Sequence, residues 1–215
     1  MTTDWRILEK KDYFMSGYNQ TWQNERCVEL ELGFRWLDLN KGEKIMEVGA
    51  VMSYYAEGGY YELSHEVIDP YDEKATIVDF MENIDLAGYK VIAISTLEHI
   101  GTTDYDGSGE RQKLVDADAA PLALQQILNQ TDSCFVTVPV GFNSGLDNWL
   151  EDNLHRLKCF GYLKTQHGFD LSGETWPPAL NYLWEYEPEV KSIKGHKYRE
   201  PFPYGNYVLC IEGWK

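Results

Sequence analysis

The chain is patterned as short apolar runs separated by turn-forming residues. Lys44–Val48, Glu66–Asp69, Thr76–Val78, Lys90–Ser95, Cys134–Val138 and Tyr207–Glu212 read as strands, several of them near-continuously apolar. A strand covered on both faces has that pattern, because neither side of the pleat meets water. Ala119–Gln130 reads as a helix: Leu124, Ile127 and Leu128 fall on one stripe, Pro121 sits in the first turn, and Asp118 is placed to cap it. From Gln23 to Asn40 two patterns compete. Cys27, Leu30, Phe34 and Leu37 fit one helical face, while Val28, Leu30, Leu32 and Phe34 fit an alternating strand. Length and a Glu31–Arg35 pair one turn apart favour the helix, and the "NKGEK" that follows is a turn. Strands interleaved with helices predict an α/β fold with a largely parallel sheet. Ligands in such sheets bind beyond the carboxyl ends of the strands.

Composition narrows this picture. A chain of 215 residues, 43% hydrophobic and 14% aromatic, can bury one sizeable core, so a single domain over 1–215 is expected. Its 35 acidic and 19 basic side chains leave a net charge of −16. Such a surface repels phosphate backbones, which argues against general nucleic-acid binding. Cys27, Cys134, Cys159 and Cys210 show no C-x-x-C pairing and no zinc-ligand spacing. Two of them sit inside apolar runs, as reduced thiols do. The N-terminal "MTTDWRILEKKDYF" lacks the apolar region of a signal peptide, and no stretch reaches membrane-spanning length. A soluble cytoplasmic protein is expected.

The strand ends carry the candidate chemistry. The first strand ends "IMEVG", and a lone Gly49 is equally a turn after a buried strand. Glu47 beside it would repel an anionic pyrophosphate and attract a ligand with a cationic end. The second strand ends "HEVIDP", with Asp69 twenty residues after Gly49, where an acid can accept ribose hydroxyls or simply open a proline turn. The third ends "TIVDF"; Asp79 and Phe80 could meet an adenine amine and ring, and Phe80 is otherwise core.

"KIMEVGAVMSYY", "HEVIDPYDE", "TIVDF", "VIAISTLEHIG" and "CFVTVPVGFN" come in the order and approximate spacing of the class I S-adenosylmethionine-dependent methyltransferases, which the chain resembles from about Lys44 to Asn143. The "STLEHIG" and "TVPVGFN" segments look most like a branch found among sugar- and polysaccharide-modifying enzymes. The family's E/D-x-G-x-G-x-G loop is reduced to Glu47 and Gly49, followed by Ala50, Val51 and Met52. The resemblance implies a Rossmann-like fold, its mostly parallel sheet of about seven strands having helices on both faces. It divides the chain into an N-terminal helical, acceptor-side segment (1–43), a cofactor-binding core (44–143), and C-terminal strands with an acceptor-side insertion (144–215). It implies S-adenosylmethionine bound by Glu47, Gly49, Ala50, Asp69, Asp79, Phe80, Ser95 and Thr96. The implied partner is a small-molecule or glycan acceptor, free or carried on a nucleotide or lipid. Association with or fusion to glycosyltransferases goes with that setting.

Methyl transfer to a hydroxyl needs a base beside the acceptor. His99, in the turn after the fourth strand candidate, is the first choice, since an imidazole titrates near neutrality; a structural turn histidine is the alternative. Glu98 would orient His99 or touch the acceptor. "EH" at 98–99 also resembles the E-x-x-E-H of the metal-using ubiquinone-pathway and small-RNA 2′-O-methyltransferases. Ser95 replaces their first carboxylate, and a divalent ion would need ligands such as Asp104 or His167, so metal is the lesser expectation. Tyr18, Arg26, Asp104, Asn143, Asp147 and His167 are the acceptor-side candidates, with the aromatic stretch His167–Glu187. The basic stretch Lys191–Glu200 is either a phosphate site or a solvated loop. Two readings compete with the enzyme: a degenerate binding module, suggested by the missing glycines, and an NAD-type oxidoreductase, opposed by Glu47.

Overall fold

In the computed structural model, which describes residues 4–56, 64–103, 113–166 and 182–215, one sheet organises the chain. Its strands are β1 (Ile45–Val48), β2 (Glu66–Ile68), β3 (Lys90–Ile94), β4 (Cys134–Pro139), β5 (Leu157–Gln166), β6 (Tyr182–Glu187) and β7 (Tyr207–Trp214). Their spatial order is β2-β1-β3-β4-β7-β5-β6. The first four neighbours pair in parallel. Strand β7 then slots between β4 and β5 and runs against both, and β6 pairs antiparallel with β5. The fold is therefore α/β with a sheet parallel in its core: β1–β5 run in one direction, and β6 and β7 run against them. The expected strand at Thr76–Val78 shrinks to a single parallel bridge, Ile77 to Ile68, at the edge beyond β2.

Both faces of the sheet are covered, as the apolar runs require. One face packs Met46, Val91, Ala93, Val136 and Leu209 against α3 (Ala119–Gln130) and α4 (Ser144–Asn153). The other packs Ile92, Ile94, Phe135 and Cys210 against α1 (Arg26–Leu39) and the short α2 (Val51–Tyr55). The double pattern in α1 has a physical cause: residues of both apolar patterns are buried. The sheet covers one side, and the N-terminal segment, through Leu8, Tyr13 and Phe14, joins the same core. Arg35 holds that segment down by donating to the carbonyls of Trp5 and Ile7 at 3.2 and 3.1 Å.

Helix α3 forms as expected, but Asp118 does not cap it with its carboxylate; its own N–H instead bonds the Asp116 carboxylate at 3.0 Å. All four cysteines are free thiols. Among the described residues no helix is long and apolar enough to cross a membrane.

Candidate active site

The chain leaves β1 toward β2 on one side, while β3 lies on the other, so a switch point opens at the carboxyl ends of β1 and β3. Gly49 sits there at φ +81°, where a Cβ would stand 2.3 Å from Thr96 Oγ1. Its N–H bonds the Ile68 carbonyl at 2.9 Å, tying the loop to β2. Only glycine satisfies both the left-handed backbone and this contact.

Beside it lies a cleft of about 310 Å³. It is lined by Gly49, Ala50 and Val51 after β1, Asp69 and Asp72 after β2, and Ser95, Thr96 and His99 after β3. Tyr18, Asn19 and Arg26 approach from the N-terminal segment and α1, with Tyr54 and Tyr55 from α2. The structure thus brings together eight of the residues expected from sequence: Tyr18, Arg26, Gly49, Ala50, Asp69, Ser95, Thr96 and His99. A larger hollow of about 620 Å³ lies between Glu82–Asp85 and α3, away from the strand ends. Of its amides, Gln126 is already bonded to the carbonyls of Met81 and Ile84.

Other expected residues have different work. Glu47 is fully buried and lies outside the cleft lining. Its Oε1 accepts the Met52 N–H at 2.6 Å and its Oε2 lies 2.8 Å from His65 Nε2. Burial raises its pKa while His65 opposes the rise. This carboxyl staples the β1 loop to α2 and to the start of β2 rather than facing a ligand. Asp79 is on the surface, where Asn83 and the Phe80 N–H bond it at 2.7 Å and hold its pKa low. Phe80 packs edge-on against Tyr71 at 5.9 Å, also outside the cleft.

Asn143 is the N-cap of α4. It accepts from the N–H groups of Gly145 and Leu146 and donates to the carbonyls of Glu98 and Ile100, at 3.0–3.1 Å. Those four bonds exhaust the amide, so Asn143 fastens the His99 turn to α4 instead of meeting an acceptor. Asp147 lies behind it, accepting from the Gly141 N–H at 3.1 Å. Burial pushes its carboxyl up to about 7. Asp104 and His167 lie outside the described residues, as does most of the aromatic stretch; its end forms β6, with Trp184 in the core. In the basic stretch Lys197 pairs with Glu200 at 2.9 Å. Among the described residues, no group of three or more His, Cys, Asp or Glu side chains gathers as a metal site.

The β3 end is held by a buried network. Ser95, at φ +40°, donates its hydroxyl to Glu29 Oε1 at 2.5 Å and its N–H to Thr137 at 3.1 Å. Glu29 pairs with Arg26 at 3.2 Å, and the same guanidinium nitrogen reaches the Ile94 carbonyl at 3.2 Å. A serine in the left-handed region persists only where its surroundings over-determine it, and these bonds do so.

Next in the chain, the Leu97–His99 turn presents His99 to the cleft with its side chain 47% exposed. Glu98 points inward, 1% exposed, with Oε1 3.7 Å from His99 Nε2. Its Oε2 has no hydrogen-bond partner among the described residues. Burial, reinforced by Glu29 and opposed by Arg26, pushes the Glu98 carboxyl well above its usual range. His99 stacks edge-on against Phe142 at 4.8 Å, and Phe142 against Tyr198 at 5.1 Å.

Sequence reasoning missed Asp72, Tyr54, Tyr55, Phe142 and Tyr198. Asp72 had a signal in "DPYDE": Asp69 Oδ1 accepts the N–H groups of Tyr71 and Asp72, and this turn places Asp72 beside the cleft. Tyr54 then donates to Asp72 at 2.8 Å, which pushes its phenol up to about 12. Tyr18 stacks on Tyr54 at 5.8 Å and 7°. Tyr198 carried no local signal, being placed by a loop far along the chain.

No family model and no curated protein matches this chain. A solved structure described as "a putative methyltransferase from Thermoplasma acidophilum" is similar over 80% of this chain and 69% of that one, at 15% identity and TM-score 0.35. A likeness so loose adds nothing to the strand order above.

Proposed function

We propose that this protein is an S-adenosylmethionine-dependent O-methyltransferase acting on a hydroxyl of a small molecule or glycan, with a sugar as the favoured acceptor. The observation that carries the reading is His99, a half-exposed imidazole in the same switch-point cleft as Gly49 and Asp69. The cleft volume of about 310 Å³ is at the lower end for small-molecule sites. Asp69 and Asp72 suit ribose hydroxyls and a cationic group, and Arg26 suits a carboxylate; this set of side chains fits the cofactor. When bound, the cofactor would supply an electrophilic methyl group on a sulfonium.

The protein's own part is positional and acid–base. His99 takes the proton of the acceptor hydroxyl at a ring nitrogen. Phe142 and Tyr198 extend an apolar wall from His99, the kind of surface that a sugar's CH face covers. The stacked Tyr18 and Tyr54 narrow the mouth and help exclude water. Support for a glycan acceptor also comes from the "STLEHIG" and "TVPVGFN" resemblance, and a cytoplasmic setting beside glycosyltransferases goes with it.

Titration calorimetry with S-adenosylmethionine, S-adenosylhomocysteine and NAD tests the class, and radiolabelled methyl transfer to a panel of sugars and nucleotide sugars tests the acceptor. Binding of both adenosyl ligands and not of NAD is expected. Absence of binding by either adenosyl ligand would overturn the proposal.

A further inference from the structure

Helix α1 buries an acid among apolar neighbours. Glu29 is 0% exposed, in a run where Cys27, Val28, Leu30 and Leu32 are also buried. Its two oxygens serve two different residues of the cleft lining. Oε1 accepts the Ser95 hydroxyl at 2.5 Å, and Oε2 accepts from Arg26 Nη1 at 3.2 Å. The same Nη1 donates to the Ile94 carbonyl at 3.2 Å. Nε and Nη2 make no hydrogen bond among the described residues, and neither is buried without a partner. Arg26 keeps 18% of its side chain exposed and lines the cleft, so these two nitrogens are what a ligand can meet. Together they form a two-donor edge of the fork, the geometry that matches a carboxylate. A buried ion pair is weak evidence for stability, since apolar residues of similar volume often do as well. Ser95 adds a left-handed backbone at φ +40°, itself a local cost. Both costs meet at one carboxylate directly behind the cleft.

We infer that Glu29 is a positioning residue: it aims the open edge of Arg26 at a ligand carboxylate and, through Ser95, fixes the turn after β3 against it. Bonds at Nη1 alone set the plane of the guanidinium, and Glu29 supplies one of the two. Ser95 leads directly into Thr96, whose side chain abuts Gly49. One buried acid therefore sets the spacing between α1 and the loops that line the cleft. That the carboxylate is the amino-acid end of S-adenosylmethionine rests on the methyltransferase reading; the linkage of Glu29 to Arg26 and Ser95 does not. Charge and position predict opposite signs. As a neutraliser, Glu29 would weaken the pull of Arg26 on an anion, and removing its charge would tighten binding. As a positioner it strengthens binding through its bonds, with or without the charge.

The test is titration calorimetry comparing S-adenosylhomocysteine with 5′-methylthioadenosine, which lacks the amino-acid end. Wild type is expected to prefer S-adenosylhomocysteine by about 10- to 100-fold, the range for hydrogen bonds to a charged group. Arg26→Met should remove most of that preference. Glu29→Gln can keep both bonds without the charge, its amide oxygen facing Arg26 and its amide N–H facing the Ser95 hydroxyl, and should keep most of the preference. Glu29→Asp keeps the charge but is one methylene too short to reach both partners, and should lose most of it. Adding Glu29→Asp to Arg26→Met should cost no further preference, because the two act as a unit. A Glu29 that only supports the fold would weaken both ligands alike in Glu29→Asp and leave their ratio unchanged. That result, or a ratio in Glu29→Gln that rises or drops to the Arg26→Met level, overturns the inference; so does a wild type with no preference. Each of these leaves the methyltransferase reading standing. Should Glu29→Asp not fold, Ser95→Ala takes its place: with Oε1 unanchored the ratio should fall, and an unchanged ratio overturns the inference. If wild type binds neither ligand, the methyltransferase reading falls and the inference with it.

Discussion

Gly49→Ala probes the contact on which the cleft is built. The new Cβ would lie 2.3, 2.5 and 2.9 Å from Oγ1, Cγ2 and Cβ of Thr96, at φ +81°. The left-handed backbone alone costs an alanine about 1–2 kcal/mol. Overpacking adds about 1–3 kcal/mol, for a total of about 2–5 kcal/mol. Thr96 has little room to yield: its hydroxyl bonds the Ile94 carbonyl at 3.2 Å, and its own carbonyl holds the His99 N–H at 3.1 Å. Relief must therefore displace the β1 loop or the His99 turn, and ligand affinity should fall with stability. Urea unfolding measures the loss, and a double-mutant cycle with Thr96→Gly separates its parts. Removing the threonine side chain removes all three close contacts, so Gly49→Ala in that background should cost only the backbone share of about 1–2 kcal/mol. A cost under about 0.5 kcal/mol, within the range of neutral substitutions, would mean that the Gly49–Thr96 contact does not constrain the loop. So would an equal cost in both backgrounds.

His99→Ala should leave S-adenosylhomocysteine affinity nearly unchanged and lower turnover by ~10²–10⁴, with loss of the acid limb of the pH–rate profile; parallel loss of binding, turnover and melting temperature would mark a structural histidine. Asp69→Ala should weaken S-adenosylhomocysteine binding by ~1.5–3 kcal/mol, and unchanged affinity in calorimetry on the folded variant would remove Asp69 from the ribose role. Burial pushes the Lys164 amine down to about 8, whereas an unfolded lysine holds its proton to about 10.4. Because the unfolded chain binds the extra proton in that window, this residue's contribution to stability should grow as pH rises from about 8 to about 10. The difference in urea midpoint between wild type and Lys164→Met should show this gain; a difference independent of pH would refute it.

The elements that were legible in the sequence are those whose burial is written locally. Strands β1, β3 and β4 are apolar runs because both sheet faces are covered, and α3 shows its stripe because a single face is buried. Strand β5 was not legible. Its Lys164 is buried by donating to the carbonyls of Gln23 and Pro203, and its Gly161 leaves room for the Tyr207 ring. Those partners come from distant segments, and no window of neighbouring letters contains them. Helix α4 was hidden for a related reason, since Leu146 and Leu150 are its only fully buried residues.

At the site, the sequence alone determined that acids, a glycine and a histidine would stand at the carboxyl ends of buried strands, because strand periodicity sets where each run stops. Which way each side chain faces was decided by the tertiary structure. Glu47 turns inward because His65 and the Met52 N–H receive it; Asn143 is consumed by the His99 turn and the start of α4. Glu98 and His99 are adjacent letters, yet one is buried beside Glu29 and the other opens on the cleft. Residue type settles which bonds a group can make, whereas its direction and its charge state depend on partners that only the folded chain brings within reach.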